Sequence, residues 1–165
     1  WMNGMYIRAL PVEELAERVR PFLEAEVGPV DRDYLLRIVP LIQERIKLLP
    51  EAVQMAGFFF QEGDLKYPLA DLLGKRFAGD PASAADALEA VLSAIDGLEP
   101  WQHDGLEGAI RPLAQELGYK TGELFGLVRV AVTGTKAAPP LFESMAVLGR
   151  ERTVQRLEAA RRRLR

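Results

Sequence analysis

A chain of 165 residues that is 48 % apolar and 27 % charged has the balance of one folded domain, or of two small ones, and not of a disordered tail. It holds no cysteine and a single histidine, His103, which excludes disulfides, cysteine zinc sites and histidine-rich metal centres. The formal charge of −3 hides a basic end, since residues 150–165 carry seven arginines against Glu151 and Glu158. Such an end can meet a polyanion locally or simply complement its own helix dipole.

No apolar run approaches the roughly 20 residues of a membrane span, and no charged-then-apolar leader is present. A cytoplasmic protein without membrane contact is expected. The chain begins with Trp1 and not with Met, as a piece of a longer protein would.

Helix punctuation runs the length of the chain, and strand signals are nearly absent. Residues 11–26 open on Pro11 with Glu13 and Glu14 in the first turn, and Leu15, Val19, Phe22 and Leu23 share a face. Residues 32–48 follow Asp31 as a cap, and Pro40 inside that run should kink or split it. A third helix over 50–60 ends in Phe58-Phe59-Phe60, three aromatics that read as core at a domain junction. Residues 61–68 are polar and interrupted, and they form the candidate boundary.

A short helical piece near 69–77 comes next. Asp80-Pro81 then starts a helix to about Ile95, and residues 103–117 make another, closed by Gly118. Thr121 should cap a helix over 121–132. Residues 140–148 end at Gly149, and residues 151–164 form the basic terminal helix. No repeat period emerges. The expectation is an all-α fold of about eight or nine helices in two packed sub-bundles, divided as residues 1–66 and 67–165.

Enzyme signatures are missing. The sequence has no glycine-rich phosphate loop, no His-Glu-x-x-His and no Gly-x-Ser-x-Gly elbow. The run Gly122-Glu-Leu-Phe-Gly126 lacks the spacing of a phosphate loop, and its glycines are expected to permit close helix packing. His103 beside Asp104 has the makings of an oriented base, but its place at a helix start reads better as a capping or surface residue.

One arginine, Arg129, sits in an otherwise apolar helix that ends in Thr133-Gly134 and runs into a bare Lys-Ala-Ala-Pro-Pro loop. The whole run "VRVAVTG…PPLFESMAVLGRERTVQRLE", Val128 to Glu158, resembles the carboxy-terminal end of bacterial-type glutamyl-tRNA synthetases. "WMNGMYIRALPVEELA", Trp1 to Ala16, is similar to the stretch where that family leaves its catalytic half. "VPLIQERIKLLPEAVQMAGFFF", Val39 to Phe60, is similar to its first anticodon-binding helices. Residues 61–100 match poorly. The family's nucleotide-binding signatures, of the His-Ile-Gly-His and Lys-Met-Ser-Lys types, appear nowhere. The resemblance therefore implies the anticodon-binding region of a glutamate–tRNA ligase, inactive by itself. Its partners would be the glutamate tRNA and the catalytic half of a parent enzyme, and a monomer is expected. No cofactor belongs to this chain, and ATP and magnesium belong to the parent.

The resemblance also implies residue roles. Sequence-specific RNA recognition targets unstacked loop bases, and a planar guanidinium can donate two hydrogen bonds in fixed geometry. Arg129 stands where the family places an arginine facing the anticodon. Ala138 and Pro139 let backbone approach a base; Ala138 replaces a hydroxyl side chain found in some relatives. Leu141 would be an apolar platform. Arg45 aligns with an arginine that reads the third anticodon base, cytosine for glutamate and guanine for glutamine. Without the resemblance, Arg45 reads as a surface residue paired with Glu44 or Glu51, and Arg129 as a helix arginine paired with a nearby carboxylate. Lys47, Arg150 and Arg163 are candidate phosphate contacts. The competing reading is a helical protein-interaction module that kept the scaffold and lost tRNA.

Overall fold

The computed structural model describes residues 4–165. Residues 1–3, where the first of the resembling stretches begins, lie outside the described residues. The fold is all-α: ten α-helices and one 3-10 turn, with no strand among the described residues. The chain divides into two compact units. The first holds the described residues through Gly63 together with Ala137–Pro140, and the second holds Asp64–Lys136 and Leu141–Arg165.

In the first unit, α1 (Gly4–Ala9) is followed by α2 (Val12–Val27), α3 (Arg32–Ile42), α4 (Glu51–Ala56) and the 3-10 turn Gly57–Phe59. The short α1 escapes the sequence reading because six residues present no full apolar period. Helix α2 packs on α3 and α4 through Leu15, Val19 and Leu23, all fully buried. Asp31 caps α3 by accepting the Tyr34 N–H at 2.9 Å, a contact that stabilises a helix by about 1 kcal/mol. Pro40 lies within α3, which ends two residues later at Ile42 instead of running on to residue 48. Phe58 and Phe59 are buried, with ring centroids 4.1 Å apart. Tyr34 meets Phe59 and Phe60 edge-on. Phe58 and Phe59 are core, as the sequence suggests, and Phe60 is half-buried.

The second unit contains α5 (Leu69–Phe77), α6 (Pro81–Ile95), α7 (His103–Leu117), α8 (Thr121–Thr133), α9 (Leu141–Leu148) and α10 (Arg150–Arg163). Helix α6 packs on α7 and α10, α5 packs on α8, and α8 also meets α10. Asp80 caps α6 through the Ser83 N–H at 3.1 Å and the Ser83 hydroxyl at 2.6 Å. These bonds hold its carboxyl below the usual carboxylate range. Gly118 closes α7 in the left-handed region, φ 81°. Thr121 is not the cap of α8. Lys120 takes that place, because the Glu123 carboxylate reaches back to accept the Lys120 backbone N–H at 2.7 Å.

Candidate functional site

Arg45 projects from the turn that follows α3. Its backbone N–H donates to the Ile42 carbonyl at 2.9 Å, and Ile46 donates to the same carbonyl at 3.1 Å. The turn is pinned on both sides. The Gln43 side-chain amide donates to the carbonyls of Ile7 at 3.0 Å and Leu10 at 2.9 Å, while the Ile46 side chain is fully buried. Between these anchors Arg45 is exposed, and it forms no ion pair among the described residues. Glu51, one of its two candidate partners, instead accepts the backbone N–H groups of Lys47 at 3.1 Å and Leu48 at 2.7 Å. A fixed backbone thus presents a guanidinium to solvent. Lys47, two residues on, is exposed as well.

Arg129 lies in the apolar helix α8, half-buried. Its carbonyl faces the Thr133 hydroxyl at 2.7 Å. That hydroxyl also lies 3.0 Å from the Thr135 carbonyl and accepts the Thr135 N–H at 3.3 Å. Gly134 follows in the left-handed region at φ 78°, donating to the Val130 carbonyl. The Thr-Gly pair is therefore a helix terminator with a side-chain latch, which fixes the helix end just beyond Arg129. Past it, Ala138 is 8 % exposed, Leu141 is 4 % exposed, and Pro139 is buried. A platform for a base needs an open face. Leu141 has none in this structure; its side chain is core at the start of α9.

A cavity of about 500 Å³ opens between α5 and α8, inside the second unit, and Arg129 lines it. Its floor is apolar: Leu72, Leu73, Leu127 and Val130, each 7 % exposed or less. Around it stand Lys75, Arg76, Lys120 and Lys136. The two carboxylates in the lining are already matched to cations, Asp71 to Lys136 at 3.5 Å and Glu123 to Arg76 at 3.8 Å. Gly122 and Gly126 line the same cavity. A Cβ at either would meet nothing within 4 Å, so these glycines do not serve close helix packing; they leave the α8 face bare where the cavity needs room.

The terminal helix behaves differently. Arg156 is 4 % exposed and donates to the Val132 carbonyl at 2.8 Å. Arg150 donates to the Leu98 carbonyl, pairs with Glu99 at 3.1 Å and stacks over Trp101 at 4.8 Å. Arg163 donates to the Tyr67 carbonyl at 2.8 Å and lies over its ring at 4.9 Å. Arg161 and Arg165 pair with Glu89. The structure thus gives Arg150 and Arg163, both expected at phosphates, partners inside the fold.

His103 is the first residue of α7, not its cap. Its Nδ1 lies 2.8 Å from Asp104, and its Nε2 lies 2.7 Å from Glu143 of α9 and 3.2 Å from Glu107. The Asp104 hydrogen bond, with the charges of Glu143, Asp104 and Glu107, raises its pKa. A histidine ringed by carboxylates is a clasp between α7 and α9. No group of residues suited to hold a metal ion occurs among the described residues, and no helix among them is long and apolar enough to cross a membrane.

Comparison with known proteins gives a consistent picture. The profile of the anticodon binding domain family matches residues 14–161. The glutamate–tRNA ligase of Roseiflexus sp. (strain RS-1) is 49 % identical over 167 residues, covering 97 % of this chain and 32 % of that protein. The glutamate–tRNA ligase of Dehalococcoides mccartyi (strain ATCC BAA-2266 / KCTC 15142 / 195) is 43 % identical over 169 residues, covering 99 % and 34 %. Among solved structures, a glutamate tRNA ligase from Elizabethkingia meningosepticum CCUG26117, crystallised in complex with its amino acid, superposes with a TM-score of 0.79. It is 20 % identical and covers 99 % of this chain and 31 % of that one, a likeness of fold. The chain spans about a third of the length of the curated relatives it matches.

Proposed function

This chain belongs to the anticodon-binding domain family, and from that premise we propose that it reads the anticodon of glutamate tRNA on behalf of a glutamate–tRNA ligase. The match over residues 14–161 carries the reading, and the identity to glutamate–tRNA ligases supports glutamate as the amino acid. The aminoacylation chemistry, with its ATP and magnesium, belongs to a catalytic half supplied by the parent enzyme, acting in the cytoplasm. Nothing in the comparisons favours the protein-interaction alternative.

In this reading Arg45 is the base reader. An arginine fork donates to the acceptor atoms on the pairing edge of cytosine. Guanine at the same place turns N–H donors toward the guanidinium, and donors facing donors stay unpaired, which is a costly mismatch. The pinned turn supports the role, because a reader held in place loses less conformational entropy on binding. Arg129 supplies a second contact to the loop. The Thr133 latch fixes the backbone on its C-terminal side, and further along the chain Ala138, Pro139 and Leu141, all buried in this structure, would have to be uncovered to reach a base.

Titration of this chain with an RNA hairpin carrying the glutamate anticodon, beside one with the anticodon scrambled, tests the proposal. Tighter binding of the first is expected. Equal binding of both would reduce the chain to a nonspecific RNA binder, and no binding of either would return the interaction-module reading.

A further inference from the structure

We infer that Glu51 is the positioning residue of the base-reading turn: its carboxylate ties down the backbone beyond Arg45 and so sets where the guanidinium stands. The inference rests on the proposed reading by Arg45. It adds a residue that decides specificity without touching the RNA.

A glutamate at this place has two ordinary uses, an ion pair with Arg45 or a favourable charge in the first turn of α4. The structure gives it a third. Glu51 is half-buried and forms no ion pair among the described residues. One oxygen, Oε1, accepts the backbone N–H groups of both Lys47, at 3.1 Å, and Leu48, at 2.7 Å. The Glu51 N–H donates in return to the Leu48 carbonyl at 3.1 Å, which closes a small ring between the turn and the first residue of α4. On the other side of the turn, Arg45 and Ile46 donate to the Ile42 carbonyl at 2.9 and 3.1 Å. Four consecutive N–H groups, Arg45 to Leu48, therefore have acceptors, two from the end of α3 and two from one carboxylate. Pro50, at the cap position of α4, makes no side-chain cap bond, so the junction of turn and helix depends on Glu51.

Hydrogen bonds to an ionised acceptor are about twice as strong as neutral ones. Without this acceptor, two N–H groups of an exposed turn go to water, and the backbone after Arg45 gains conformations. A guanidinium must meet a base edge in a fixed plane. Such freedom blurs reading while the buried Ile42 and Ile46 on either side of Arg45 still hold the fold.

Two hairpins that differ only in the third anticodon base, cytosine or guanine, test the assignment. Glu51→Ala removes both acceptor and charge. It should shrink the preference for cytosine by about 3- to 10-fold, part of what one base-reading contact supplies. Glu51→Gln removes the charge and keeps an oxygen acceptor, so the preference should survive. In an Arg45→Gln chain, adding Glu51→Ala should change the preference no further, since a positioning residue acts through the group it positions. The preference is a ratio of two affinities measured on one protein. A smaller folded fraction divides out of it, and a merely structural role leaves it unmoved.

If the unaltered chain prefers cytosine and Glu51→Ala keeps that preference in full, the positioning role is overturned while the reading stands. If Glu51→Gln loses as much as Glu51→Ala, charge and not the backbone bonds is at work, and the assignment is overturned. Further narrowing in the Arg45→Gln chain overturns it too. If the unaltered chain binds both hairpins equally, the reading falls and the positioning role with it.

Discussion

The terminal helix α10 carries the densest positive charge in the sequence, yet three of its arginines, Arg150, Arg156 and Arg163, donate to carbonyls of the fold. The wall between α5 and α8 carries fewer cations, and two of them, Lys75 and Lys120, are bound to no carboxylate among the described residues. Arg156 is a buried strut to α8, Arg150 ties α10 to the segment before α7, and Arg163 clamps Tyr67. Arginine forms such struts well, because its planar fork satisfies carbonyls and stacks on rings together. The difference shows that the charges a fold leaves over are not simply the charges its sequence concentrates.

That contrast can be broken at several points, the strongest being Arg156. Replacing it with methionine keeps much of the bulk but leaves the Val132 carbonyl without its donor. The expected loss is about 2–3 kcal/mol of stability, the worth of a hydrogen bond to a charged group, read by urea denaturation. The salt slope of RNA binding should not change. Arg150→Ala should cost less, about 1–2 kcal/mol, through its carbonyl bonds and its stacking on Trp101. An RNA affinity loss larger than the stability loss would make Arg150 a phosphate contact after all. Arg163→Gln is expected to cost under about 1 kcal/mol, since its bond to the Tyr67 carbonyl is exposed, and to leave anticodon preference intact.

The smallest effect is a pH dependence. His103 has its pKa raised in the folded chain by Asp104 and the neighbouring glutamates. Its contribution is therefore fully present below the unfolded value of 6.5 and is lost as pH rises through the higher folded value. Exposure of 39 % keeps the contribution small. The melting temperature should drop slightly as pH rises above 6.5, and His103→Gln should flatten that drop. An unchanged profile in the variant would assign the drop to other groups.

Most of the helices are legible because their ends are written locally. Asp31, Asp80, Gly118 and Gly149 each act within a turn of their own position. The errors have equally local causes. Glu123 bonding back to Lys120 displaces Thr121 from the cap, and the chain turns at Ile42 where apolar periodicity alone continues. The site is only partly legible. Arg45 and Arg129 stand out through the resemblance and through their surroundings. The cavity does not, because Lys75, Lys120 and Lys136 come together only when α5 packs on α8, and no sequence spacing encodes that. The fate of the α10 arginines was hidden for the same reason: Leu98, Tyr67 and Val132, their carbonyl partners, lie 24 to 96 residues away.

The central claim is that an exposed arginine on a pinned turn reads one base. Two hairpins differing only in the third anticodon base, cytosine or guanine, test it most directly when titrated against the chain and against Arg45→Gln. The account predicts that the substitution costs about 1–3 kcal/mol on the cytosine hairpin, the range for one base-reading contact, and less on the guanine hairpin, so that discrimination narrows. Equal losses on both would contradict it and leave Arg45 a backbone-contacting residue.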